Sequence, residues 1–216
     1  YDNYSAGRYI LSAVFEGLQV PFDTALLIES RYFFHTLRSK QSQAMIRSLF
    51  ISMQELNKLA RRPADIPSEP TRKIGIIGSG FMGAGIAGVA ARAGIEVVLL
   101  DRDLSSAENG KATIEKSYDR HVSRKRMSAA ERDEALARIT SGADFAALAG
   151  TDLVIEAVFE DRALKEDVIK RAEAVLSPGT IFGSNTSTLP ITSLAAATAR
   201  PADFVGIHFF SPVDRM

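Results

Sequence analysis

The chain has 216 residues, 46% hydrophobic and 24% charged, the mix of a globular protein with one ordinary domain and a smaller element. Lys+Arg and Asp+Glu both total 26, so no basic excess points to nucleic acid. Cysteine is absent, which excludes disulfides and thiolate metal sites, and no apolar run is long enough to insert across a membrane.

The chain opens on Tyr1-Asp2-Asn3-Tyr4, with neither Met nor a signal-peptide pattern, and reads as an internal fragment. Residues 1–62 read as helical. Ile10, Leu11, Val14, Phe15 and Leu18 share one helical face. Asp23 is placed to cap a second helix through Leu26, Leu27, Phe33, Phe34 and Leu37. Ile46, Leu49, Phe50, Met53 and Leu56 mark a third amphipathic helix. So few helices cannot bury all their apolar faces on one another, which implies packing on the following domain or on one that precedes Tyr1. Pro63, Pro67 and Pro70 disfavour helix and cannot serve a central strand, so residues 63–71 read as a linker.

From residue 72 onward the pattern alternates. Strands are expected at Lys73–Ile77, Glu96–Asp101, Leu153–Glu156, Thr180–Ser184 and Phe204–His208. Helices are expected near Met82–Ala93, Ser105–Met127, Ala163–Val175 and Ile191–Ala197. Ser128-Ala129-Ala130-Glu131 is a capping-box pattern, predicting a further short helix to Ile139. Strands alternating with helices predict an α/β domain over 72–216, with a doubly wound, mainly parallel sheet covered on both faces.

Gly78-Ser79-Gly80-Phe81-Met82-Gly83 follows the first of these strands and opens a helix. Gly78 permits a tight turn, Gly80 lets a pyrophosphate approach the backbone, and Gly83 lets the helix sit close to the strand. The helix start offers N–H groups and partial positive charge to phosphates. The second strand ends in Asp101, where an acid accepts from the adenosine ribose and repels a 2′-phosphate. Arg102 beside it is a cation able to tolerate that phosphate. The pattern is that of a Rossmann-type dinucleotide domain with NAD favoured over NADP; the plainer alternative is a glycine-rich turn with a surface Asp.

Three further motifs are Val154-Ile155-Glu156-Ala157-Val158-Phe159-Glu160, Ser184-Asn185-Thr186-Ser187-Thr188-Leu189 and His208-Phe209-Phe210-Ser211-Pro212-Val213. With the glycine motif and Asp101, they resemble the 3-hydroxyacyl-CoA dehydrogenase family in order and spacing, from Arg72 to Met216. Residues Tyr1 to about Arg62 resemble the tail and linker helix between the enoyl-CoA hydratase and dehydrogenase parts of multifunctional fatty-acid oxidation enzymes.

The resemblance implies oxidation of L-3-hydroxyacyl-CoA to 3-ketoacyl-CoA with NAD in β-oxidation. It implies that His208 is the general base, for which imidazole, with a pKa of about 6.5, is suited. The alternative is a strand-end histidine satisfied by backbone groups. His35 is read as a packed or half-exposed ring and His121 as a solvated one. Ser187, by resemblance, bonds the substrate 3-oxygen and approaches the nicotinamide ribose; alternatively it caps the helix near Pro190. By the same analogy Met82, Val158, Glu160 and Lys165 join Gly78, Gly80, Gly83 and Asp101 around NAD. For Glu160 and Lys165 the alternative is a solvated surface pair. Ser211 stands where many relatives carry Asn, and being shorter it would reach its ligand through a water. Ser117 and Arg124 share one face of their helix. With Arg120, Lys125 and Arg126 they imply a site for CoA phosphates, or else a solvated basic face.

The resemblance places an acid partner for His208, and a helical C-terminal domain, after Met216. The chain is therefore expected to bind NAD yet to turn over little substrate alone. Implied partners are an acyl-CoA, the hydratase domain before Tyr1, that C-terminal domain and a thiolase subunit; the implied location is the cytoplasm of a bacterium. A non-catalytic dinucleotide-binding module is the competing reading. A dehydrogenase of small hydroxy acids is a third, disfavoured by the His-Phe-Phe motif and the lack of an evident lysine base.

Overall fold

Ile74, Ile76 and Ile77 crowd into β1 (Lys73–Ile77), and its inner residues are all buried, so this strand has no polar face and has to be covered twice. The computed structural model, which describes residues 3–63, 65 and 69–214, meets that demand with layers on either side of one sheet. β2 (Glu96–Leu100), β3 (Ile139–Gly142), β4 (Leu153–Glu156), β5 (Ile181–Ser184) and β6 (Phe204–Gly206) complete it, in the order β3-β2-β1-β4-β5-β6, and every pairing is parallel. The order reverses direction at β1/β4, the switch point of a doubly wound sheet.

Side chains alternate between the two covers. Ile74, Ile76, Val97, Leu99 and Ile155 pack with residues of α5 (Phe81–Arg92), α6 (Leu104–Ser123) and α7 (Ala129–Ala137). Ile77, Val98, Leu100, Val154 and Phe182 pack on the other face with Leu148, α8 (Arg162–Glu173) and α9 (Ile191–Ala195). The Ser128 capping box is present at the start of α7, the Ser128 hydroxyl accepting from Glu131 N at 3.1 Å and Glu131 accepting from Ser128 N at 2.7 Å. At the start of α5, Gly83 meets the end of β1 so closely that a Cβ there would lie 1.7 Å from the Gly78 carbonyl oxygen.

The α7 helix stops at Ala137, and Ile139 begins β3, an edge strand the sequence reading missed. α6 stops at Ser123, with Arg124 as its C-cap and Lys125 in the left-handed region at φ 55°, so Arg124, Lys125 and Arg126 lie beyond the helix.

The chain divides into two compact units, Tyr1–Ser68 and Glu69–Met216. In the first, α1 (Ser5–Gly17) and α2 (Phe22–Leu37) pack on each other. Glu16 ties them by accepting from the Tyr32 hydroxyl and pairing with Arg31 at 2.6 Å. The third helix comprises α3 (Lys40–Met45), a π-helical stretch over Ile46–Ile51 and α4 (Ser52–Asn57). Asp23 does not cap α2: Pro21 is the N-cap, and Asp23 sits in the first turn, where its charge favours the helix dipole. No described residue of this unit is buried, and Leu11, Phe15, Leu18 and Leu27 stand well exposed. The expected linker positions Ala64, Ile66, Pro67 and Ser68, and the termini Tyr1, Asp2, Arg215 and Met216, lie outside the described residues.

Ser128→Ala removes one half of the capping box and costs about 1 kcal/mol of stability, read by denaturant unfolding. Gly83→Ala tests the closer packing. Alanine favours an exposed helix by about 1 kcal/mol over glycine. Here the added methyl destabilises the protein by about 1–3 kcal/mol, as overpacking does, and a neutral or stabilising result refutes the contact.

Candidate functional site

Parallel pairing puts Ile77 opposite Leu100 and Glu156, Glu156 opposite Ser184, and Ser184 opposite Gly206. The ladder then runs one residue past the strands. Gly78 N donates to Leu100 O at 2.8 Å, Ala157 N to Ile77 O at 2.7 Å, Asn185 N to Glu156 O at 2.9 Å and Ile207 N to Ser184 O at 2.9 Å. The glycine loop, segment 157–160, turn 185–188 and His208 therefore all leave the sheet at its carboxyl edge, where ligands of open α/β sheets sit.

Gly78 turns with φ 97°, and a Cβ there would meet the Ala157 carbonyl oxygen at 2.7 Å. Gly80 is the N-cap of α5, no side chain caps that helix, and a Cβ on Gly80 would meet nothing within 4 Å. The positive end of α5 thus faces open space that a pyrophosphate can enter. Met82 is half-buried and packs on the core beneath.

Asp101 lies one residue past β2. Its Oδ2 accepts from Ser79 N at 2.7 Å and from Ser79 Oγ at 2.6 Å, and its Oδ1 from Arg102 N at 2.8 Å. Partial burial pushes its pKa up, but these hydrogen bonds and the Arg102 charge outweigh that and hold it below the usual carboxylate value. The ionised carboxylate fastens the glycine loop to β2, a link the sequence reading had not drawn. Arg102 is exposed and turns to Asp103, with Nε 3.2 Å from Oδ2.

Ser187 Oγ and His208 Nε2 are 3.2 Å apart, and both residues are exposed. His208 is held from both neighbours, by Ile207 N on Ser184 O and by Phe209 N on Asn185 Oδ1 at 2.8 Å. The Phe210 ring lies 4.8 Å from the imidazole, and Ser211 follows it, exposed. Ser187 is not the cap of the next helix: α9 begins at Ile191, its N-cap is Pro190, and no side chain caps it. Asn185, an amide just past the end of β5, is a residue whose position could have signalled this role.

Lys165 and Glu160 are not a solvated pair. The Lys165 side chain is 1% exposed, and its Nζ lies 2.9 and 3.0 Å from the two carboxylate oxygens of Glu156, itself 0% exposed. Nζ also lies 3.3 Å from Glu160 Oε2 and 3.5 Å from Val158 O. Val158 is half-buried and donates its N–H to Glu156 Oε2 at 3.3 Å, while Ser184 Oγ donates to Glu156 Oε1. Glu160 Oε1 gathers Thr186 Oγ1 at 2.5 Å, Ser187 N at 2.9 Å, Thr188 N at 3.0 Å and Thr188 Oγ1 at 3.2 Å. Desolvation raises the Glu160 pKa, but the hydrogen bonds from Thr186, Thr188 and Ser187 and the Lys165 charge win, bringing it down to about 2.

Ser117 and Arg124 both line a cavity of about 1010 Å³ between α5, α6 and residues 212–214, together with Phe81, Arg92, Arg120 and His121. Lys125 does not line it. Asp214 faces His121 at 3.6 Å across this space. Among the described residues, no group of three or more His, Asp or Glu is arranged to hold a metal ion.

Residues 73–216 match the family described as 3-hydroxyacyl-CoA dehydrogenase, NAD binding domain. The chain is 36% identical over 215 residues to the fatty acid oxidation complex subunit alpha of Shewanella halifaxensis, covering 99% of this chain but 30% of that protein. Among solved structures it is similar to (S)-3-hydroxybutyryl-CoA dehydrogenase PaaH1 from Ralstonia eutropha, with a TM-score of 0.67 and 39% identity over 68% of this chain and 52% of the other. FadB2 of M. tuberculosis is alike to the same TM-score of 0.67, at 40% identity and the same coverage of 68% and 52%. The open cradle at Gly80 and the ionised Asp101 suit the dinucleotide that these sequences call for. Through its NAD-binding domain, the chain belongs to the 3-hydroxyacyl-CoA dehydrogenase family.

Proposed function

We propose that the chain carries the NAD-binding and proton-abstracting part of an enzyme that oxidises L-3-hydroxyacyl-CoA to 3-ketoacyl-CoA. The observation that carries this reading is the Ser187–His208 pair at 3.2 Å, held on the same sheet edge as the open glycine loop. Gly78, Gly80 and Gly83 shape the pyrophosphate cradle, and Asp101 accepts from the adenosine ribose. Val158, Glu160 and Ser211 border the nicotinamide end. Bound NAD supplies the acceptor for the hydride that leaves C3.

His208 Nε2 takes the proton from the 3-hydroxyl as the C3–H bond breaks, leaving an imidazolium and a ketone. Ser187 donates its hydroxyl proton to the substrate oxygen, first of the alcohol and then of the carbonyl, while His208 takes the alcohol's own proton. Ser117 and Arg124 meet the CoA part in their cavity, where Arg92 and Arg120 add cations for its phosphates.

The chain spans 30% of the length of the curated relatives it matches, and those are fatty acid oxidation complex alpha subunits. We therefore place it between a preceding hydratase domain and a following helical domain of a multifunctional β-oxidation enzyme, with a thiolase subunit as partner and the cytoplasm as its setting. No described helix is long and apolar enough to cross a membrane. A dinucleotide-binding module without catalysis is the second reading, supported by the exposure of His208.

Calorimetry is expected to show NAD bound at least about tenfold more tightly than NADP, a gap of about 1.4 kcal/mol, with Asp101→Asn narrowing it. In the complete enzyme, His208→Ala is expected to lower kcat by about 10²–10⁴-fold while NAD affinity stays near its original value. Undiminished turnover in that variant returns the protein to the binding-module reading.

A further inference from the structure

Ser79 stands between Gly78 and Gly80, and the proposed chemistry gives its side chain no part. The residue is buried, and its hydroxyl oxygen lies 2.6 Å from Asp101 Oδ2 and 2.8 Å from Ser106 O. A serine hydroxyl carries a single proton. The ionised and nearer carboxylate takes the larger share of it, because charge-assisted hydrogen bonds are the stronger ones. The Ser79 N–H donates to the same Oδ2 at 2.7 Å. Ser79 thus supplies two donors to one carboxylate oxygen, while Oδ1 accepts from Arg102 N at 2.8 Å. An ionised carboxylate offers about four acceptor sites, so Oδ1 keeps one open for a further donor.

The α6 helix holds Ser79 as well. A Cβ on Gly110 would lie 2.5 Å from the Ser79 Cβ and 2.8 Å from its carbonyl oxygen, so the helix backbone presses directly on this residue. Ser106 is itself fixed, its N–H donating to Asp103 Oδ1 at 2.7 Å. The glycine loop, the end of β2 and the first turn of α6 therefore meet on one small side chain. Arg102, a cation able to take a 2′-phosphate, turns to Asp103 with Nε 3.2 Å from Oδ2. The Asp101 carboxylate is left to choose between a ribose hydroxyl and that phosphate.

We propose that Ser79 is a positioning residue for cofactor choice: seated against α6, its hydroxyl pins Asp101 Oδ2 so that Oδ1 is presented to the adenosine ribose, which strengthens the preference for NAD over NADP. This rests on the proposed role of Asp101 as the ribose acceptor and deepens it. Without the hydroxyl, Oδ2 keeps the Ser79 amide, and the carboxylate gains freedom to turn about its Cβ–Cγ bond. A carboxylate that has to be ordered on binding gives up affinity for the ribose. One that is free to turn also swings away from a 2′-phosphate that it would otherwise repel.

The test uses the 216-residue chain with Ser79→Ala, which keeps the Cβ against Gly110 and removes the hydroxyl alone. Calorimetry is expected to show NAD affinity lowered by at least about threefold. NADP affinity is expected to stay within about twofold, so the preference narrows. The Asp101 carboxyl, followed by carbon NMR without cofactor, is expected to titrate at higher pH, since a donor to its charged form is gone. In the Asp101→Asn background the same Ser79→Ala change is expected to move NAD affinity by less than about twofold, because the hydroxyl acts through the carboxylate. Ser79→Cys, with a similar shape and a weaker donor, moves the preference and the titration the same way and decides alone if Ser79→Ala fails to fold. Two results overturn the proposal. One is an equal loss of NAD and NADP affinity that persists in the Asp101→Asn background, which makes Ser79 a packing residue of the loop. The other is an Asp101 titration that does not move, which makes the hydroxyl inert. Failure of the unsubstituted chain to bind NAD strikes the proposed function instead, and the cofactor-free titration then judges the pinning of Asp101 separately.

Discussion

Hydrogen bonds that run one residue past each strand govern everything at the carboxyl edge of this sheet. Gly78, Ala157, Asn185 and Ile207 each spend a backbone N–H on the neighbouring strand before the chain departs. Four segments distant in sequence therefore begin their loops from one shared row. A strand slipped by one residue would turn its side chains to the wrong face of a sheet buried on both sides. The register is held by the core, and the site inherits its geometry from that register.

The buried charges beside this row show what such a scaffold can tolerate. Removing one partner of a buried ion pair costs about 3–5 kcal/mol, because the other charge is left stranded, whereas an apolar replacement of both is often neutral. Stability alone therefore does not call for Glu156 and Lys165. The same ammonium also faces Glu160 Oε2 at 3.3 Å, so the buried pair continues into the segment that leaves β4. The hydrogen bonds converging on Glu160 and the pull of Lys165 bring its pKa down to about 2.

Most of the parallel core was legible because β1, β2 and β4 are short apolar runs, and the helices between them carry clear faces. β3 was not. Ile139-Thr140-Ser141-Gly142 has one buried apolar residue and follows directly on a capped helix, so the helical pattern ran over it. Only pairing with β2 makes it a strand. The burial of Lys165 was hard to see for a different reason. Its neighbours Arg162, Glu166 and Asp167 suggest a solvated face, yet Lys165, Val168, Ile169 and Ala172 recur at helical spacing and are all buried. The signal was there, and charge masked it. Glu156 gave a matching hint, an acid closing the apolar run of β4, where burial demands a partner.

The histidine itself illustrates why motifs read together outweigh motifs read singly. His208 lies past the end of β6, so its own strand does not fix it. What fixes it is the strand next door: Ser184 O takes the amide before it and Asn185 Oδ1 the amide after it. The same stretch, a few residues on, supplies Ser187 to the imidazole. Ser184-Asn185-Thr186-Ser187 and His208-Phe209-Phe210 are thus two halves of one hydrogen-bonded structure. Neither half positions the ring alone. A histidine at a strand end is ordinary, but one whose flanking amides and Nε2 are all met by a single neighbouring turn has its orientation prescribed. That prescription, more than the identity of the ring, fixes where Nε2 sits on the carboxyl edge of the sheet.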